Sequence, residues 1–178
     1  MIDLLFNRRS IRHYTGVPVE KEKVDTLVQA LLLAPSSRGI RPWEFIIVDE
    51  KKILKKLARS KQHGSSFLKD APLGIVVIVD TRKSDVWIED ASIATIVVQL
   101  AAESMGLGSC WIQIRKRMHD RSITSEAYAR SVLDIPDAYA VESIVAIGYP
   151  NEQKRGYCDD DLHYEKVFHN RYGLLYQK

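Results

Sequence analysis

Apolar positions along the chain alternate between helical stripes and short continuous runs. Ile2, Leu4, Leu5 and Phe6 predict a short first helix that ends near a basic cluster. Val17-Pro18-Val19 is turn-like or extended. Beyond it Val24, Leu27, Val28, Leu31 and Leu32 trace one face of a helix that Pro35 stops. Ser36-Ser37-Arg38-Gly39 reads as loop, and Trp43, Phe45, Ile46, Ile47 and Val48 as a compact strand. Asp49 is placed to cap the next helix, which carries Ile53, Leu54, Leu57 and Ala58. Residues 61–66 are polar and contain glycine, the pattern of a mobile surface segment. Residues 73–79 show no polar alternation and predict a central strand covered on both faces.

The strongest helical segment spans residues 90–105. It is apolar nearly all round, small at Ala91, Ala94, Ala101 and Ala102, and large at Ile93, Val97, Val98 and Leu100. Such a helix belongs in a large core or a subunit interface. A glycine turn at Gly106 and Gly108 then enters a strand through Cys110, Trp111 and Ile112. Residues 127–133 predict a short helix ending before Pro136, and residues 139–147 a last strand. Residues 151–163 are polar, yet Tyr164, Val167, Phe168 and Tyr172 follow them. A tail of that kind must pack on something, and a partner subunit is one answer. Helices and strands interleave without a repeat, which predicts one domain with helices on both faces of a sheet.

Composition narrows the function. A chain of 178 residues buries roughly 70% of its unfolded surface and needs no staples. The net charge of +3, from 26 Lys+Arg against 23 Asp+Glu, is too small and too evenly spread to argue for nucleic acid. The N-terminus lacks the order of a signal peptide, and no apolar stretch reaches the roughly eighteen residues of a spanning helix. A soluble protein is expected. Two cysteines, Cys110 and Cys158, exclude a disulfide scaffold and point to the cytoplasm.

Two segments carry candidate chemistry. Arg8, Arg9 and Arg12 flank Ser10, either as a solvated face or as guanidinium forks matched to phosphate oxygens. Pro35 and Pro42 bracket Ser36, Ser37, Gly39 and Arg41. This is either a plain helix-to-strand connection or a rigid loop offering N–H groups and guanidinium to a planar polar ligand. Gly106-x-Gly108 follows a helix and lacks the dinucleotide fingerprint. Neither a nucleophile elbow nor metal-ligand histidine spacing occurs, and Cys110 reads as a buried inert thiol.

The order and spacing of several motifs resemble the flavin-dependent nitroreductase family nearly end to end. They are Arg8-Arg9-Ser10-x-Arg12, Pro35-Ser36-Ser37…Pro42-Trp43-x-Phe45, the Asp90 helix, Gly106-Leu107-Gly108-x-Cys110-Trp111, Gly148-Tyr149-Pro150 and Lys154-Arg155. The resemblance implies an α+β, three-layer α-β-α fold around a central mixed, largely antiparallel sheet, in a single domain spanning residues 1–178. It implies non-covalent FMN in a homodimer whose two sites are shared between subunits. Arg8, Arg9, Ser10 and Arg12 match the first cofactor segment. Arg8 and Ser10 would serve phosphate and ribityl oxygens, and Arg12 the pyrimidine side of the ring. Pro35, Ser36 and Ser37 match the segment given by the other subunit. Ile112 and Gln113 match the stretch near the flavin N5 edge, Lys154 and Arg155 a late basic pair on the phosphate, and residues 164–178 an arm that wraps the partner.

Many relatives have Asn and Gln where this chain has Gly39 and Arg41, which removes one amide contact; the Arg41 cation would instead stabilise an anionic reduced flavin. The expected activity is hydride transfer from NAD(P)H through flavin N5 to a nitroaromatic, quinone or flavin acceptor. The alternative is an FMN protein for storage, sensing or assembly with little turnover.

Overall fold

In the computed structural model, which describes residues 1–177, the apolar run at 73–79 is strand β2 (Leu73–Asp80), and every one of its residues is buried. It pairs on one side with β1 (Trp43–Val48) and on the other with β4 (Tyr139–Gly148); β3 (Gly108–Gln113) pairs with β4 and forms an edge. The order is β1-β2-β4-β3, and all three pairings are antiparallel. The parallel contact among the described residues is an isolated bridge from Ser10 to Ser109, the first residues of the basic segment laid on the β3 edge.

Helices cover both faces. On one lie α2 (Lys21–Leu32) and α4 (Trp87–Ser104), whose Leu27, Leu31, Ala91, Ala94, Val98 and Ala102 pack on Ile75, Val77, Val145 and Ile147. The small side of α4 thus faces the sheet, while Ile93 and Ile96 stay 38% and 36% exposed on its outer side. On the other face, α3 (Lys51–Leu57), α5 (Ser125–Leu133) and a 3₁₀ turn at Ser66–Asp70 enclose Leu54, Leu57, Leu68, Val76, Ile112 and Ile144. Helix α1 (Ile2–Asn7) rests against α4. The expected three-layer α+β architecture is present, but the sheet of named strands is wholly antiparallel and not mixed.

Local expectations are corrected at four points. Asp49 does not cap α3: Glu50 holds the N-cap position through its carbonyl, which accepts from Ile53 and Leu54, and no side-chain cap forms. Residues 61–66 lie mostly at the surface, as expected, with Ser65 the exception. Ser65 is buried and donates to the Ala58 carbonyl at 2.9 Å, because the following turn must bring Leu68 into the core. Helix α4 begins at Trp87, three residues before the expected start, and α5 begins at Ser125 because the Thr124 hydroxyl accepts from Ala127 N–H.

The tail folds back on itself. Phe168 bridges to Leu175, and the Phe168 and Tyr172 rings lie 4.7 Å apart. Tyr172, Leu174, Leu175 and Tyr176 remain exposed. No helix among the described residues is long and apolar enough to cross a membrane.

Candidate functional site

The basic segment leaves α1 and is tied to two distant parts of the chain. Ile11 N–H donates to the Ser109 carbonyl at 2.9 Å, and a Cβ on Gly108 would lie 2.8 Å from Ile11, so only glycine lets the two strands of chain approach this closely. On its other side the segment is zipped to the chain after Pro150. The Glu152 carboxylate accepts from the backbone N–H of Arg12 and His13, Lys154 Nζ donates to the Ser10 carbonyl at 2.5 Å, and Lys154 stands 3.4 Å from Glu152. Although burial opposes it, these N–H groups and the Lys154 ammonium hold the Glu152 carboxyl below the usual carboxylate range.

Arg8, Arg9, Ser10, Arg12 and Lys154 therefore come together, but in different roles. The Arg8 guanidinium makes no hydrogen bond or ion pair among the described residues. Arg12 makes one long contact to the Ser10 carbonyl, at 3.4 Å, and lies over the Phe67 ring. Arg9 is used within the chain: it donates to the Arg155 carbonyl and stacks 4.7 Å above Tyr157. Arg155 is engaged as well, its guanidinium held by Asp161 at 2.8 Å. Beside this cluster a cleft of about 210 Å³ is lined by Arg9, Glu103, Gly108, Glu152 and Lys154. Burial pushes the Glu103 carboxyl up and Arg8 pulls it back. Cys110 is buried under Ser10, and burial raises its thiol, in keeping with an inert role.

From the cluster, β3 runs along the sheet edge toward Gln113. Because the Ser109 carbonyl points outward to Ile11, alternation turns the main-chain groups of Trp111 and Gln113 outward too, and those of Ile112 inward to β4. The Gln113 amide accepts from Trp111 Nε1 at 3.0 Å and donates to the Arg115 carbonyl at 3.1 Å.

The second predicted segment lies elsewhere. Pro35 is exposed; Ser37 N–H donates to the buried Asp90 carboxylate at 2.7 Å, and Ser36 Oγ accepts from Arg41 N–H at 2.8 Å. Arg38 pairs with Asp85, and Arg38, Gly39 and Arg41 all adopt positive φ, at 53°, 66° and 52°. This loop sits at the Asp90 end of α4, whereas Arg8 faces Glu103. Thirteen helical residues separate those acids, roughly 20 Å of axis. One chain does not bring the two predicted segments together.

The sequence reading missed Glu152, Glu103 and the buried Asp90 as holders of these segments. For Glu152 a signal existed: it and Lys154 are two residues apart, a spacing that puts both on one side of an extended chain. A separate groove of about 640 Å³, lined in part by His13, Thr15, Asp49, Lys51, Lys69 and Asn151, holds none of the predicted site residues.

Known proteins share this overall fold. The chain resembles the solved FMN-dependent nitroreductase of Clostridium difficile R20291 at 54% identity and a TM-score of 0.95, covering 97% of this chain and 100% of that one. The NADPH:FMN oxidoreductase of Vibrio harveyi, solved with NAD+, matches at 25% identity and a TM-score of 0.79, over 98% of this chain and 79% of that one. A protein of Archaeoglobus fulgidus, provisionally named NADH dehydrogenase/NAD(P)H nitroreductase, is 34% identical over 90% of this chain and 91% of its own length. The model of the Nitroreductase family matches residues 5–63 and 58–149, and the chain belongs to that family.

Proposed function

We propose that the protein is an NAD(P)H-dependent FMN oxidoreductase acting as a homodimer with two shared sites. Arg8, Ser10, Arg12, Lys154 and the outer edge of β3 form one half of each site. Pro35, Ser36, Ser37, Gly39 and Arg41 of a second copy form the other. The observation that carries this reading is the set of uncommitted cations around Ser10. Arg8 and Arg12 are held in place by the Ile11–Ser109 and Glu152 contacts, yet their guanidinium groups are not consumed by the protein. Such a set fits a phosphate dianion and the polar edge of a pyrimidine. Its fit to FMN is completed by the outward main-chain edge at Trp111 and Gln113, where β3 has no further strand beside it. The roughly 20 Å between the two predicted segments supports their coming from different subunits. Exposed Ile93 and Ile96 on α4, Ile2 and Leu5 on α1, and Leu174 and Leu175 in the tail offer the apolar surface that a twofold contact would cover.

Bound FMN supplies two-electron chemistry between a nicotinamide and an acceptor. The chain's own residues anchor and orient. Arg8 and Lys154 neutralise phosphate charge, Arg12 and the β3 edge orient the ring, and Arg41 from the second copy adds a cation near its pyrimidine side. The acceptor class is a nitroaromatic, a quinone or a free flavin, entering after the nicotinamide leaves. The two unbridged thiols, Cys110 and Cys158, suit a cytoplasmic location.

The test is direct. Purified protein should bind FMN stoichiometrically, bleach with NADH or NADPH without oxygen, and recover its colour on adding an acceptor. Light scattering should give about twice the 20.3 kDa chain mass. Removal of residues 164–178 should lower dimer content and bound flavin together. A yellow monomer would move the Ser36–Ser37 contacts out of the site. Bound flavin that no nicotinamide bleaches would favour a storage or sensing role.

A further inference from the structure

One buried charge is not used by the reading above. Glu142 falls where the β2–β4 register jumps from Val77↔Ser143 to Ile78↔Val141, a bulge in the ladder. Its carbonyl accepts from both Ile114 N–H and Arg115 N–H, each at 3.1 Å, so the bulge pins the corner that follows Gln113. The residue is 2% exposed, and its Oε2 has no hydrogen-bond partner among the described residues. The nearest cation, Arg115 Nε, is 4.0 Å away, short of a hydrogen bond.

Arg115 links this carboxylate to the site. Its guanidinium lies 5.6 Å from the centre of the Trp87 ring, and its carbonyl accepts from the Gln113 amide. The groups facing Glu142 come from every neighbouring element: Gln113 on β3, Arg115 at the corner, Glu126 on α5 and Glu89 on α4. Burial pushes its carboxyl above the usual range, Arg115 and Gln113 pull it down, and the two acids push it up again. An ionised Glu142 calls Arg115 toward it; a protonated one leaves the guanidinium to Trp87 and the open edge. A buried carboxylate with an unpartnered oxygen is costly to the fold.

We propose that Glu142 is a positioning residue that, by engaging or releasing Arg115, sets the placement and net charge of the corner carrying Gln113 and thereby tunes electron entry into a flavin bound along that edge. The proposal rests on the FMN reading of the site. It names no new reactant; Glu142 acts through Arg115 and touches neither cofactor nor substrate.

The experiment compares the FMN-loaded wild type with E142Q, R115Q and the double variant, following anaerobic flavin bleaching by NADH or NADPH from acid to neutral pH. The wild type should show a step of roughly two- to fivefold in the bleaching rate constant, the range of one partly buried charge pair. E142Q and R115Q should each flatten that step, and the double variant should add nothing further. A step that survives in E142Q, or a uniform slowing at every pH with the profile unchanged, would overturn the proposal. Carbon-13 NMR of glutamate-labelled protein without FMN supplies a readout independent of turnover, and one that does not require E142Q to fold. The Glu142 carboxyl should titrate higher in R115Q than in the wild type, and an identical titration would overturn the coupling. Failure of the wild type to take up FMN would instead bring down the cofactor reading itself.

Discussion

The two ends of α4 carry the two segments read as cofactor contacts, and they are built in opposite ways. At the Asp90 end the loop satisfies itself: Ser37 N–H goes to Asp90, Arg41 N–H to Ser36 and Arg38 to Asp85. At the Glu103 end backbone groups are fixed by Ser109 and Glu152 while Arg8 and Arg12 keep their charge outward. The first end is a shaped surface, rigid before anything binds. The second keeps guanidinium donors turned outward. The shared site proposed above, built from one of each, would need little reorganisation on either subunit, which is how preorganised sites gain affinity.

Mutation separates the two designs. Asp90→Ala should have the largest effect, because it leaves the Ser37 N–H and the Ser84 hydroxyl without their buried acceptor. A loss of about 2–3 kcal/mol in denaturant unfolding is expected, with flavin binding weakened as a consequence. Arg8→Ala should do the reverse. FMN affinity should fall roughly ten- to a hundredfold in a fluorescence titration while unfolding stays unchanged, since the lost bonds are charge-assisted and external. If both variants lose stability equally, the contrast between the two ends is wrong.

Lys154 and Arg155 sharpen the charged end. Lys154 reaches the Ser10 carbonyl and is 27% exposed, whereas Arg155 is 67% exposed and held by Asp161. Lys154→Ala should weaken FMN binding roughly five- to tenfold and Arg155→Ala by less than about twofold, with riboflavin binding nearly unaffected by either. Equal losses in the two variants would restore Arg155 as a phosphate ligand.

The smallest effect is one of pH. The Arg155 guanidinium and the Cys158 N–H draw the Asp161 carboxyl down to about 2. Because the folded value lies below the ordinary one of 3.8, whatever the pairing contributes is present above that value and lost as pH falls through about 2. The Cys158 amide resonance should titrate in that window, while global unfolding should hardly register so exposed a pair. An amide that shifts near 4 instead would mean the pairing does not persist in solution.

Most of the fold was legible in the chain because its signals are local. The unbroken run in β2, the stripe of α2 and the Arg8-Arg9-Ser10-x-Arg12 cluster each announce themselves within a dozen residues. The cap of α3 was misread, since Asp49 has the right side chain but the chain enters the helix one residue later, through the Glu50 carbonyl. Ser65 looked like surface because its partner, the Ala58 carbonyl, is chosen by the burial of Leu68. The site's holders were the least legible. Glu152 lies 140 residues from Arg12 and Asp90 lies 53 from Ser37, and no local pattern encodes such contacts. Glu142 was visible as a lone charge in an apolar strand, yet its bulge depends on the pairing register and not on composition.

The free margin of β3 bears on how the molecule behaves in a crowded cell. An uncovered strand edge is a template on which a second chain can add by main-chain hydrogen bonds, the first step toward aggregation. Here the chain meets that hazard at both ends of the strand. Ile11 takes the Ser109 carbonyl at the start, and directly after Gln113 the run Ile114-Arg115-Lys116-Arg117 places three cations at the exit, with Lys116 turned into a positive φ of 56° that breaks extension. Two copies approaching edge to edge would bring six like charges together. The same basic corner that borders the proposed site therefore has the make-up of a gatekeeper, and neutralising Arg115, Lys116 and Arg117 together should leave the protein folded but prone to self-association through β3.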